Sequence, residues 1–287
     1  MTNSASMKAP LGQRLKSKLL EYLGITWFTL HDSVKKDIEV LPDLIGASAA
    51  AKALSYYLLH YEELSYDLKL ADFMRFYATH YAQSKSQWSQ DIWVMYESQD
   101  FANKCYLEIG GADGFTHSNT LALEAHHGWS GTLVEPERHQ FKILQIARRN
   151  NKLLNNALSP SGNFETATLR SVGQLSSLKG FESNDVHFHH RISSRRFQRI
   201  NAISLQSILA DTKYDYFSFD IEGAELSVLQ TVNWNQVFKP ELLTIEHNSR
   251  NNEKKALLEL LTSLGYVPCF CEHDWLLHGD IWLKLAR

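Results

Sequence analysis

Cysteine is scarce in this chain: three among 287 residues, at Cys105, Cys269 and Cys271. That is too few for a disulfide framework. Cys269-Phe-Cys271 has the wrong spacing for a zinc knuckle, and alternate strand positions account for it. A reducing, cytoplasmic compartment suits such usage. Long apolar runs are missing too. None approaches the roughly 20 residues of a membrane span, and no signal-peptide core follows Met1. Charge of one sign is also absent. The formal net charge of −3 gives no global field toward nucleic acid or a membrane. An apolar fraction of 44% can fill a real core. The length suits one large α/β domain plus an extension.

One further absence narrows the function. Residues 105–136 read as strand, glycine turn, helix and second strand, the nucleotide-binding half of a doubly wound sheet. The turn is Gly110-Gly111-Ala112-Asp113-Gly114, yet the dinucleotide spacing G-x-G-x-x-G fails, with Ala112 and Phe115 where glycines belong. A pyrophosphate on the helix N-terminus is therefore not favoured. Acids flank the turn instead, Glu108 and Asp113. They repel phosphate and suit hydroxyls, an ammonium or a sulfonium. S-adenosylmethionine fits that description. Glu135, ending the second strand, can accept hydrogen bonds from both ribose hydroxyls.

The order of short motifs carries a resemblance. Tyr106-Leu-Glu-Ile-Gly-Gly-Ala-Asp-Gly114, Ser118-Asn-Thr120, Gly128-Trp-Ser-Gly131 and Val134-Glu-Pro136 are similar to the FkbM-type family of S-adenosylmethionine-dependent methyltransferases. Ser89-Gln-Asp-Ile-Trp93 upstream and Ser218-Phe-Asp-Ile-Glu-Gly-Ala-Glu225 and Ile245-Glu-His-Asn248 downstream keep the family's order. The similarity covers about residues 88–287. It implies a Rossmann-like, mostly parallel sheet with a terminal antiparallel hairpin. It also implies a cofactor site at Glu108, Gly110, Gly111, Asp113, Ser118, Asn119, Thr120, Glu135 and Pro136, with Asn156 and Ala157 at the adenine ring. One departure stands out. The family usually has Ala-Asn where this chain has Gly111-Ala112.

Residues 1–87 read as a helical extension or cap. Pro10 can open a helix to about Leu23, with leucines four apart. A tyrosine-rich series runs from Tyr56 to Tyr81; core packing is its commoner use, and a sugar-binding groove the sharper alternative. After Glu135, a helix over 140–150 leads to a third strand over 152–158. Residues 159–200 look irregular. Within them His187, His189 and His190 lack conventional metal spacing. Arg191, Arg195 and Arg196 could grip a phosphate or carboxylate of the substrate, or form a solvated loop. Strands over 214–220 and 242–246 follow, then a helix over 251–264 and a hairpin from 266–271 to 280–285.

In open parallel sheets, ligands sit at the carboxyl ends of strands. Asp220, Glu222 and Glu246-His247 occupy two such ends. Asp220 and His247, with Glu222 beside them, are the candidate groups for taking a proton from an acceptor hydroxyl. Glu225 is better explained as charge placed at a helix N-terminus. Acids on adjacent strand ends also favour a divalent cation, magnesium or manganese, on Asp220, Glu246 and His247. The expected function is O-methylation of a small molecule, a sugar nucleotide, glycan or secondary-metabolite precursor. Nucleic acid is not an expected partner, and a homo-oligomer stays open. The alternative is a binding or scaffold protein that kept the fold without catalysis. A nicotinamide oxidoreductase comes third, because the glycine spacing fails.

Overall fold

The computed structural model describes residues 67–98, 103–182, 187–210, 212–247, 251–277 and 279–286. The chain divides after Ala71 into two compact units, and nearly all described residues belong to the second, Asp72–Arg287. The helices expected in 1–66, the tyrosines at 56–66, and Asn248 lie outside the described residues.

Apolar runs buried on both faces build the middle of the main sheet. β1 (Cys105–Ile109) and β8 (Tyr216–Phe219) are neighbours in it, and β8 is buried throughout. Such continuous apolar strands belong at the centre of parallel sheets, where helices cover both sides. β2 (Ser130–Val134) and β3 (Lys152–Leu154) extend the sheet on one side, β9 (Leu242–Glu246) on the other, all parallel. The last two strands, β10 (Tyr266–Cys269) and β11 (Asp280–Leu285), form the expected hairpin. β11 inserts antiparallel beside β9 and leaves β10 as the edge. The order is β10-β11-β9-β8-β1-β2-β3. The fold is α/β with a mixed sheet.

Two helices lead into β1: α1 (Leu68–His80) and α2 (Gln90–Glu97). Trp93 of α2 stacks on Trp282 of β11 at 5.3 Å between ring centres. Phe73 of α1 meets Trp282 edge-on at 6.0 Å, and both Phe73 and Tyr77 are buried. These two aromatics are therefore core. α3 (Leu121–His127) and α4 (Arg138–Ala147) follow the first two strands.

The segment that looked irregular contains a second sheet. β4 (Ala157–Leu158), β5 (Glu165–Arg170), β6 (Ser177–Leu178) and β7 (Phe197–Ile203) order as β4-β7-β5-β6. Its long strands mix exposed polar with buried apolar positions, for example Ile200 and Ala202 in β7. Half-buried strands alternate in that way and lack an apolar run. The single strand expected over 152–158 is split. At the break, the Asn155 amide donates to the carbonyls of Glu135 and Pro136, so β3 stays in the large sheet while β4 joins the small one. His189 and His190 sit on a short helix, α5 (Phe188–Ser193). The remaining helices are α6 (Leu205–Ala210), α7 (Glu225–Gln230), α8 (Asn251–Ser263) and α9 (Asp274–Leu277).

Candidate active site

β1 ends where β8 passes very close. The Asp220 amide donates to the Ile109 carbonyl at 3.1 Å. A Cβ on Gly110, whose φ is +85°, would stand 1.7 Å from the Asp220 carbonyl oxygen, so only glycine fits. The amides of Gly110 and Gly111 both donate to the Val134 carbonyl at the end of β2. Ala112 comes next with φ +44°, and its amide donates to Glu135 Oε2 at 2.8 Å. A left-handed conformation costs an ordinary L-residue roughly 1–2 kcal/mol, and Asn tolerates it better than Ala. That is a physical reason for the Asn usual at this position in the resembling family. Ala112→Asn is expected to raise stability by about 1 kcal/mol in urea denaturation. An unchanged or lower midpoint would count against strain at this residue.

Beneath the turn lies a buried polar network. Arg148, at the end of α4, is 1% exposed. Its guanidinium donates to Glu124 at 2.6 Å, to the Tyr106 hydroxyl at 2.6 Å, and to Ser118, Thr120 and the Gly114 carbonyl. Glu108 accepts from the Ser118 and Thr120 hydroxyls and from the Asn119 amide. Burial raises the Glu108 pKa, and Arg148 and these hydrogen bonds oppose the rise. Asp113 accepts from the amides of Phe115 and Thr116 and from the Thr116 hydroxyl. Glu108, Ser118 and Thr120 thus hold the shape of the turn from inside the protein, and Asp113 holds it from the half-exposed turn itself.

Above the turn opens a cavity of about 410 Å³. Its wall includes Gly110, Ala112, Asn119, Glu135, Pro136, Asn156 and Ala157, together with Asp220, Glu222 and Glu246. Leu169 and Leu178 of the second sheet, and Ser176 just before β6, also line it. Most of the expected cofactor positions and the expected acids therefore share one chamber. His247, by contrast, is buried beside the cavity-lining Glu246 and is not among the wall residues; its amide donates to the Gly279 carbonyl at 2.7 Å. Arg195 and Arg196 are exposed and apart from the wall. Arg191 is fully buried and donates to Glu222 Oε2 at 2.6 Å. Glu222 itself holds a left-handed φ of +63°. A non-glycine residue in that region is a form of strain that clusters at functional sites.

The acids are close-packed. Carboxylate oxygens of Asp220, Glu225 and Glu246 lie within 4.8 Å of one another. Asp220 and Glu246 are carried on the ends of neighbouring strands. Burial raises both, and the Asp220 charge pushes Glu246 up further, well above the usual carboxylate range. Glu225 accepts from the amides of Ile221 and Gly223, capping the turn after β8, and burial pushes it up to about 7. Glu135 is pushed up to about 8, again by burial. Its oxygens accept from the amides of Ala112 and Glu137, which leaves lone pairs of each for a ligand's hydroxyls. Asn119 donates to Ser218 Oγ at 2.8 Å, while its own oxygen is buried with no hydrogen-bond partner. That acceptor suits an ammonium. Glu135 with its paired hydroxyl capacity, the Asn119 oxygen and the acid-rich wall all fit an adenosyl sulfonium amino acid.

Sequence reasoning gave no role to Gln87, Gln90 or Asp280. Gln90 stands in the Ser89-Gln-Asp motif, which was a signal of position only. Asp280 is an isolated acid at the start of a hairpin strand, and nothing local marks it.

No curated protein matches the sequence. Among solved structures, the chain is similar to a methyltransferase FkbM from Methylobacillus flagellatus, with 14% identity, 96% of this chain and 70% of that one covered, and a TM-score of 0.45. It is also similar to a TehB-like methyltransferase from Corynebacterium glutamicum, with 8% identity, coverage of 76% and 97%, and a TM-score of 0.38. A methyltransferase from Thiobacillus denitrificans, solved with S-adenosylhomocysteine, gives 11% identity, coverage of 70% and 72%, and a TM-score of 0.32. The family profile described as the methyltransferase FkbM domain matches residues 108–268, more than half of the sequence. The chain belongs to the FkbM family of S-adenosylmethionine-dependent methyltransferases.

Proposed function

We propose that this methyltransferase acts on a hydroxyl of a small molecule, a sugar or a related polyhydroxylated precursor. The observation that carries the reading is the close pair of carboxyls, Asp220 and Glu246, in the cavity wall. A hydroxyl must lose its proton as its oxygen attacks carbon. A carboxyl pair raised above the ordinary range is a better base near neutral pH than an exposed aspartate. S-adenosylmethionine, when bound, supplies an electrophilic methyl group on a sulfonium. Gly110, Ala112 and Glu135 would seat its adenosyl half, and Asp220 would take the acceptor proton. Glu222, fixed by Arg191, keeps its own charge compensated beside that base. Gln87, Gln174 and Ser176 in the wall offer hydrogen-bonding groups suited to a polyol.

A divalent cation on Asp220 and Glu246 is the second reading, favoured by the closeness of the three carboxylates. His247 would be a poor ligand in that reading, since it is buried outside the wall.

The cofactor part has its own test. Glu135→Gln keeps one acceptor and the length of the side chain. It is expected to weaken S-adenosylhomocysteine binding by roughly 1–3 kcal/mol in calorimetry, the cost of leaving a buried hydrogen-bonding group without its partner. NAD should not bind. Tight NAD binding, or unchanged affinity in the variant, would overturn the assignment of Glu135 to ribose.

A further inference from the structure

Part of the cavity wall, Gln87 and Gln90, comes from a segment whose shape is over-determined. Asp91, fully buried, accepts hydrogen bonds from the amides of Lys85, Ser86 and Ile92 and from the hydroxyls of Ser84 and Ser86. Ser86 also bridges to His117 in the turn after β1. Residues 84–91 are thereby wound around one carboxylate and tied to the cofactor turn. Ser89 takes φ +68° to start α2, and Gln90 is its first residue.

Gln90 is 4% exposed and still part of the cavity wall. Its carbonyl accepts from the Trp88 amide at 2.9 Å, and its amide nitrogen donates to Asp280 Oδ2 at 2.7 Å. Those two bonds fix the plane of the side-chain amide. A primary amide has two N–H donors. One goes to Asp280, and the other has no protein acceptor among the described residues. A buried donor left without a partner is costly, on the order of 1–3 kcal/mol, so a ligand atom is its natural complement.

Charge decides which ligand atom. The cavity wall holds Glu135, Asp220, Glu222 and Glu246. None of these acids can balance the one anionic group of S-adenosylmethionine, its carboxylate, and whichever of them is ionised opposes it. That group needs neutral donors. Gln90 is a donor already aligned, at the N-terminal end of a helix whose dipole favours negative charge. Asn119 offers an unpartnered buried oxygen for the ammonium on the same carbon. We propose that Gln90 binds the carboxylate of the cofactor's amino-acid end, and that Asp280 is the positioning residue that holds its amide toward the cavity. Burial pushes Asp280 up to about 7, which weakens its repulsion of that carboxylate. The inference rests on the cofactor occupying this cavity.

The experiment compares two ligands by calorimetry on the full chain. S-adenosylhomocysteine has the amino-acid end; 5′-methylthioadenosine has the same adenosyl thioether without it. Gln90→Leu is expected to weaken the first by about tenfold or more and to leave the second within about twofold. Gln90→Glu keeps the acceptor for Trp88 and the side-chain length but replaces the donor, and should show the same selective loss even if Gln90→Leu folds poorly. Asp280→Leu should follow Gln90→Leu, and Asp280→Asn should retain more of the affinity. Equal losses for both ligands would mean a merely structural role and sink the proposal. So would unchanged S-adenosylhomocysteine affinity, alone or with a raised acceptor KM. If the unaltered chain binds neither ligand, the cavity is not the cofactor site and the premise itself fails.

Discussion

Asp220→Asn is expected to lower turnover by roughly 10²–10⁴, the usual worth of a positioned base. Binding of S-adenosylhomocysteine should survive, because the contacts proposed for the cofactor lie at Gly110, Ala112 and Glu135 and not at the Asp220 side chain. The acceptor for this assay comes from a mass-spectrometric screen of sugar nucleotides and related polyols for methylated products. The pH profile carries the sign. Burial raises Asp220 and Glu246, the Asp220 charge pushes Glu246 up further, Glu222 and Glu225 add negative charge, and Arg191 subtracts some. The base form therefore appears only above the ordinary carboxylate range, and kcat should climb as pH rises through the raised pKa of the pair. Excess chelator should leave turnover intact. Loss of activity in chelator, restored by magnesium or manganese, would move Asp220 and Glu246 from base to cation ligands. An Asp220→Asn enzyme as fast as the parent would end both readings.

Arg148→Met is expected to cost about 3–5 kcal/mol of stability, the range for removing one partner of a buried ion pair. The substitution leaves Glu108 buried and Glu124 without its closest cation. It also removes the donors to Tyr106, Ser118, Thr120 and the Gly114 carbonyl. The turn proposed to seat the cofactor hangs on those groups, so S-adenosylhomocysteine affinity should fall with stability. Urea denaturation measures the first and calorimetry the second. Adding Glu108→Gln to the variant should recover part of the loss, because the two residues share one network and their effects do not add. A loss below about 1 kcal/mol would show that water reaches the network and the pair is not truly desolvated.

The turn and the acid proposed to hold the cofactor were readable as a local pattern before the fold was. A glycine turn after an apolar strand, with an acid one strand later, is local chemistry over about thirty residues. Gly110 is demanded by the approach of β8, and Glu135 by its place at the end of β2, and the structure puts both on the chamber wall. The same local reading could not tell which acids face the chamber. Glu108 and Asp113 have the right chemistry, but one is consumed by Arg148 and three neighbours from 118 to 120, and the other by its own turn. Arg191 looked like a free cation for a substrate anion, and it is instead buried against Glu222, thirty-one residues away.

The amino-acid sequence by itself determined the family, the central strands and the end hairpin. Those are encoded by apolar runs and by motifs in a fixed order, and both survive without knowledge of what touches what. The second sheet was hidden because its strands alternate polar and apolar residues across one half-buried face, a pattern that resembles a loop when read in one dimension. Only the tertiary structure decided the division of labour among the acids. It brings Asp220 and Glu246 from neighbouring strands, ties Gln90 to Asp280 across the chain, and leaves His247 outside the wall. The physical reason is that a carboxylate's role depends on its burial and on its nearest donors, and in this protein those donors are supplied by residues distant in sequence.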